Sequence, residues 1–194
     1  MTEDHPSVVV LGGPNGAGKT TTSSELLRGA LSVDYFVNAD ILAQGLSGFE
    51  PEQVAIAAGR IMIERLRQLA ADRADFAFET TLASRSFVPW LRRLIDDAYV
   101  FHLVYLWLPS AELAVARVGS RVRYGGHHVP REIVLRRYYA GLRNFFTLYR
   151  PIAKSWRFYD SSSPAGPQLI AGGTHDDTDT IHDRAKWELV LQNR

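Results

Sequence analysis

The sequence predicts an α/β fold in which a parallel sheet is covered by helices on both faces. Three observations carry this. Short apolar runs alternate with longer stretches of helical periodicity. The run Val100 to Leu108 shows no in-and-out alternation. Three of the short runs end on residues that bear chemistry, namely Gly13, Asp40 and Glu79. Strands alternating with helices argue for a parallel sheet, a strand without alternation suits one covered on both faces, and ligands of such sheets gather beyond the carboxyl ends of the strands.

Taken in chain order, Val8-Val9-Val10-Leu11 is a β-branched run stopped by Gly12 and Gly13, which predicts a buried strand feeding a glycine turn. Lys19 to Arg28 lacks Gly and Pro and predicts a helix ending near Gly29. Tyr35-Phe36-Val37 is the next strand, and its exit, Asn38-Ala39-Asp40, presents an acid. Pro51 suits a first helical turn, after which Val54, Ala58, Ile61, Met62, Leu66 and Leu69 recur at spacings of three and four. Phe76-Ala77-Phe78-Glu79 is a third strand, followed by Thr80-Thr81 and a helix from about Ser86 to Asp97. Val100 to Leu108 is expected at the sheet centre, and Pro109-Ser110 opens a helix that runs to about Tyr124. A turn at Gly125-Gly126-His127-His128 and a helix from Pro130 towards Tyr149 complete a helical hairpin. Tyr138, Tyr139, Phe145, Phe146 and Tyr149 are spaced for packing within it. Trp156 to Tyr159 and Gln168 to Ala171 supply last strands around the loop Ser161 to Pro167, and Ile181 to Gln192 a closing helix. The whole, residues 1–194, reads as one domain with a helical lid inserted at about 115–150.

Between the first strand and helix, Gly13-Pro14-Asn15-Gly16-Ala17-Gly18-Lys19-Thr20 satisfies G-x-x-x-x-G-K-[ST], the phosphate-binding loop (P-loop) pattern, in the context it requires. Backbone N–H groups of such a loop point at phosphate oxygens, and the helix N-terminus adds a favourable dipole end. Lys19 is expected on the β- and γ-phosphates and the Thr20 hydroxyl on Mg²⁺, with Thr21 completing the segment that contacts ATP. The fold class narrows to a kinase-like P-loop domain, since no N-K-x-D guanine reader exists and Leu46-Ser47-Gly48 lacks the rest of a transporter signature.

Transfer to a hydroxyl needs a carboxylate to take the proton. Asp40 is the candidate base, its alternative being an N-cap for a helix starting at Ile41. Glu79 is expected to steer Mg²⁺ or hold the substrate with Thr80 and Thr81, its alternative being a plain strand-end acid. The net charge of +1 conceals a basic module, because Val115 to Arg157 carries nine arginines and Lys154 against Glu132 alone. Such a patch implies an anion, and the hairpin is expected to close arginines over the transferring phosphoryl group, with the remainder solvated. His127 and His128 are adjacent and make a poor metal pair, so they read as turn residues.

The absence of cysteine excludes disulfides, thiolate metal sites and a Cys nucleophile. No apolar run is long enough for a membrane span, and Met1 to Ser7 has neither the basic start nor the apolar middle of a secretory signal, which predicts a cytoplasmic protein. Two other functions fit parts of this pattern. A polynucleotide kinase would run a phosphate backbone along the basic hairpin, although nucleic acid is not the expected partner. A non-catalytic module would use ATP only to order the lid for a protein.

The ordered set GPNGAGKTT from Gly13, Asn38-Ala39-Asp40, FETTLAS from Phe78, and RVGSRVRYGGHHVPREIVLRRY from Arg117 to Tyr138 resembles the zeta toxin family across about Val8 to Asp160. The resemblance implies an ATP-dependent kinase of the 3′-hydroxyl of UDP-N-acetylglucosamine, often held inactive by a small antitoxin. It also implies that Lys19 and Thr20 hold phosphate and Mg²⁺, that Asp40 is the base, and that Arg117, Arg121 and Arg136 form the phosphate clamp. This chain lacks the extra length with which larger toxins build their sugar-nucleotide pocket.

Overall fold

The structure, a computed structural model, describes residues 5–23, 33–47, 53–123, 129–175 and 179–194. Among these residues seven strands form a single sheet in the order β2-β3-β1-β4-β5-β6-β7: β1 (Ser7–Gly12), β2 (Tyr35–Val37), β3 (Phe76–Thr80), β4 (Val100–Trp107), β5 (Ser155–Asp160), β6 (Gln168–Thr174) and β7 (Thr180–Ile181). The expected central strand β4 is indeed central, paired in parallel with β1 on one side and β5 on the other. The pairs β2–β3 and β1–β3 are parallel too.

Side chains of a strand alternate between faces, and here each face has its own core. Val8 and Val10 pack with Phe76, Phe78, Leu103 and Tyr105 on one side, while Val9 and Leu11 pack with Ala77, Val104 and Leu106 on the other. The first core is closed by α2 (Ala55–Ala71) through Met62, Leu66 and Leu69, and by α3 (Phe87–Asp96) through Val88, Leu91 and Leu94. The second is closed by α4 (Ala111–Arg123) and α5 (Arg131–Asn144), through Ala111, Ala114, Val118, Val134 and Tyr138. The basic hairpin is thus anchored on the sheet by buried apolar side chains of both its helices. Aromatic packing within it is less uniform than expected: Tyr138, Phe145 and Tyr149 are buried, but Tyr139 is half exposed.

The sheet departs from the expected parallel form at its far edge, where β6 pairs antiparallel with β5 and β7 antiparallel with β6. A parallel crossover needs a dozen or more residues, and the connection 161–167 is too short for one. The closing helix, α6 (Arg184–Gln192), begins later than expected because Asp183 caps it, accepting from the Lys186 amide at 3.0 Å, and Thr180–Ile181 is strand. The hairpin's second helix changes character before Tyr149, turning π-helical at Phe145–Tyr149. The stretch 24–32, Pro51 and the turn Gly125 to His128 lie outside the described residues.

The approach of α5 to the chain after β3 is tight. A Cβ built on Gly141 would stand 2.3 Å from the Thr81 carbonyl oxygen. Alanine gains about 1 kcal/mol of helix propensity over glycine, but forced overpacking costs about 1–3 kcal/mol. Gly141→Ala is therefore expected to lower stability on balance and to displace Thr81, read as a fall in the urea midpoint.

Candidate active site

The phosphate loop leaves β1 through Gly13, whose φ of 144° and the 2.3 Å that would separate a Cβ from the Leu106 carbonyl oxygen leave room for glycine alone. Residues 19–23 are helical, so the loop runs onto a helix start as the motif requires. Lys19 is 6% exposed, donates from Nζ to the Pro14 carbonyl at 3.0 Å and lies 3.5 Å from Glu79 Oε1. Burial pushes its pKa down, against the pull of Glu79 and Asp40.

Three side chains from three elements converge beside it. The Thr20 hydroxyl donates to Glu79 Oε2 at 2.8 Å, and Asn38 Nδ2 donates to the same oxygen at 2.6 Å and to Thr20 Oγ1 at 3.2 Å. Glu79 is therefore no idle strand-end acid. Asn38 also caps α1 (Ala39–Leu46), its Oδ1 accepting from the amides of Asp40 and Ile41 at 2.7 and 3.2 Å. The cap considered for Asp40 belongs to Asn38, and Asp40 sits exposed in the first turn with its carboxylate left for other work. Sequence reasoning gave Asn38 no role, although Asn before a helix is a favoured cap.

Asn15, Gly16, Gly18, Lys19, Thr20 and Thr21 line a cavity of about 430 Å³. Gly13, Pro14 and Ala17 belong to the loop but not to this lining. Asn38, Asp40, Glu79, Thr80 and Thr81 line it as well, and Met62 and Phe87 add apolar surface. The hairpin adds Arg117, Arg121 and Arg137.

Those arginines divide by their partners. Arg117 donates to the carbonyls of Ser161 at 2.8 Å, Ser162 at 2.7 Å and Gly16 at 3.4 Å, which makes it a brace between α4, the loop and the turn after β5. Arg136 is exposed and off the cavity. Its neighbour Arg137 reaches in, donating to Asn15 Oδ1 at 3.4 Å; burial lowers its pKa while Asp40 opposes the shift. Arg137, not the expected Arg136, is thus the α5 cation that lines the cavity.

The turn held by Arg117 has a second anchor. Ser161 Oγ donates to the Ala17 carbonyl at 2.7 Å, while Asp160 accepts from the Ser162 amide at 2.8 Å and from Lys186 Nζ at 2.8 Å. Burial pushes the Asp160 carboxyl up, but hydrogen bonds from Lys186 and Ser162 outweigh it and hold the pKa below the ordinary carboxylate range. A depressed carboxyl contributes stability above its unfolded pKa and loses it as pH falls through the folded one. The stability lead of wild type over Asp160→Asn is therefore expected to shrink on acidification below about pH 4, the ordinary range for Asp; thermal melts across pH 3–7 check it.

Fold and loop together define a kinase-like P-loop protein. Residues 8–143 match the AAA domain family AAA_33, and the chain belongs to that family. An uncharacterised protein of Haemophilus influenzae is 29% identical over 126 residues, covering 65% of this chain and 88% of the relative. Among solved structures, the AvrRxo1-ORF1:-ORF2 complex with ATP is similar at a TM-score of 0.75 and 15% identity, over 98% of this chain. The chain spans 64% of the length of that neighbour. The PezAT chromosomal toxin-antitoxin system of Streptococcus pneumoniae gives 0.65 and 15% over 100% of this chain and 86% of the other. A gluconokinase from Sinorhizobium meliloti gives 0.51 and 17% over 82% and 85%. Among the described residues no helix is long and apolar enough to cross a membrane, and no cluster of three His, Cys, Asp or Glu side chains could hold a metal.

Proposed function

We propose that this chain is a kinase that moves the γ-phosphoryl group of ATP to a hydroxyl of a small molecule. The observation that carries this reading is Asp40, relieved of capping by Asn38, lining the same cavity as Lys19 of the phosphate loop. In the reaction, the acceptor oxygen forms a bond to the γ-phosphorus, the bond to the β–γ bridging oxygen breaks, and Asp40 takes the hydroxyl proton. Lys19, Arg121 and Arg137 offset charge that builds on the phosphoryl oxygens. Thr20 and Glu79 offer hard oxygen donors 2.8 Å apart, a donor set that fits Mg²⁺, which would neutralise the β- and γ-phosphates when bound. Thr80 and Thr81 supply hydroxyls to the acceptor side.

The finer reading follows the zeta toxin resemblance: a cytoplasmic toxin kinase of UDP-N-acetylglucosamine or a related nucleotide sugar, restrained by a small antitoxin. Likeness of fold to the PezAT and AvrRxo1 proteins supports it. Purified protein with γ-labelled ATP and Mg²⁺ is to be incubated with UDP-sugars, nucleosides, aminoglycosides and a deproteinised metabolite extract. Label in one acceptor is the expected result, and its absence from every fraction defeats the kinase reading. Growth arrest on expression, relieved by a small neighbouring gene, tests the toxin reading.

The basic hairpin keeps a polynucleotide kinase as second reading. That reading requires oligonucleotide affinity that falls steeply with salt.

A further inference from the structure

Phe87 lines the cavity at the phosphate loop and also a second one of about 180 Å³ between α2 and α3. The floor of this second groove is aromatic. Trp90 packs against Phe76, Phe78 and Phe87, with ring centroids 6.1, 6.0 and 6.4 Å away. The rim is cationic, with Arg67 from α2 and Arg93 from α3. Both side chains are exposed, and neither has a hydrogen bond or ion pair among the described residues, although Glu64 and Asp96 lie about one helical turn away on the same helices.

An exposed arginine alone is usually just solvated. Two unpaired guanidiniums brought from different helices to one concave aromatic floor form a different arrangement, suited to a flat ring bearing an anion. Guanidinium forks match carboxylate and phosphate geometry. The position matters as much as the chemistry, because Phe87 also lines the cavity that Asp40, Thr80 and Thr81 line.

We propose that the groove between α2 and α3 is a second acceptor subsite, binding a planar ring on Trp90 with its anionic group at Arg67 and Arg93. The inference rests on the kinase reading and narrows its substrate to hydroxyl compounds that carry, away from the reacting oxygen, an aromatic or heteroaromatic ring with a phosphate or carboxylate. A ring phosphate and a ring carboxylate share this chemistry, and the test separates them.

The protein is saturated with Mg²⁺ and a non-hydrolysable ATP analogue, so that the phosphate loop is occupied. Uridine 5′-monophosphate, 4-hydroxybenzoate, uridine and orthophosphate are then titrated while tryptophan fluorescence is followed. Saturable quenching by the ring phosphate, the ring carboxylate or both is expected, with uridine and orthophosphate at least tenfold weaker. The double variant Arg67→Glu/Arg93→Glu should weaken the bound ring anion at least tenfold with affinity for the ATP analogue unchanged, and Trp90→Phe should remove the signal. No quenching by either ring anion at millimolar concentration, or equal binding by the double variant, overturns the proposal. Quenching that persists in a protein with no transfer activity instead overturns the kinase reading and leaves the groove standing.

Discussion

Lys19→Ala is expected to lower the proposed phosphoryl transfer about a thousandfold, the scale seen when one preorganised donor to a developing charge is removed. The size follows from the surroundings. Lys19 is buried, and its ammonium is already aimed along the loop by the Pro14 carbonyl and Glu79. No solvent-exposed lysine could be as well preorganised, because in a water-poor site the same charge interacts more strongly. Folding should survive the change, since the variant relieves the burial of a cation and Glu79 keeps its bonds from Thr20 and Asn38. Calorimetric ATP binding and labelled transfer, measured together, check the prediction. Transfer within tenfold of wild type would remove Lys19 from the chemistry.

Asp40→Asn is expected to separate binding from transfer. The amide has the shape of the carboxylate but cannot take the acceptor proton, and loss of a general base costs about 10²–10⁴-fold. The helix that carries it is insulated from the change, because Asn38 supplies the cap. ATP affinity should stay within a few fold while kcat falls by that range; retained kcat would show that the proton leaves by another route.

The strand ends were the most legible part of the sequence. Gly13, Asp40 and Glu79 each closed an apolar run, and the sheet brings all three to one cavity edge or the loop beside it. The arginines were harder, because their density hid which ones turn inward. Val134, Tyr138 and Gly141 mark the buried stripe of α5. Arg137, three residues after Val134 and four before Gly141, falls on that stripe and Arg136 does not, so helical spacing held the answer. Arg117 could not be read in this way. Its carbonyl partners belong to Ser161 and Ser162, more than forty residues away, and nothing local marks them as neighbours. The antiparallel edge had a signal in the shortness of the loop after Tyr159. The two-residue strand β7 is too brief for any periodicity to show.

The place of β1 in the sheet governs when this protein can fold during synthesis. Its neighbours are β3, at residues 76–80, and β4, at residues 100–107, so both of its hydrogen-bonding edges wait for partners made much later. Pairings of such long sequence separation are slow, because chain closure must precede the reward. The apolar segment Val8 to Leu11 is therefore made before either partner: one of its edges stays open until β3 follows and the other until β4 does. The phosphate loop attached to it takes shape only when β4 arrives, since its Gly13 turn packs against the Leu106 backbone. A truncated product ending before β4 would carry the whole phosphate-loop motif and yet lack the strand against which that loop is formed.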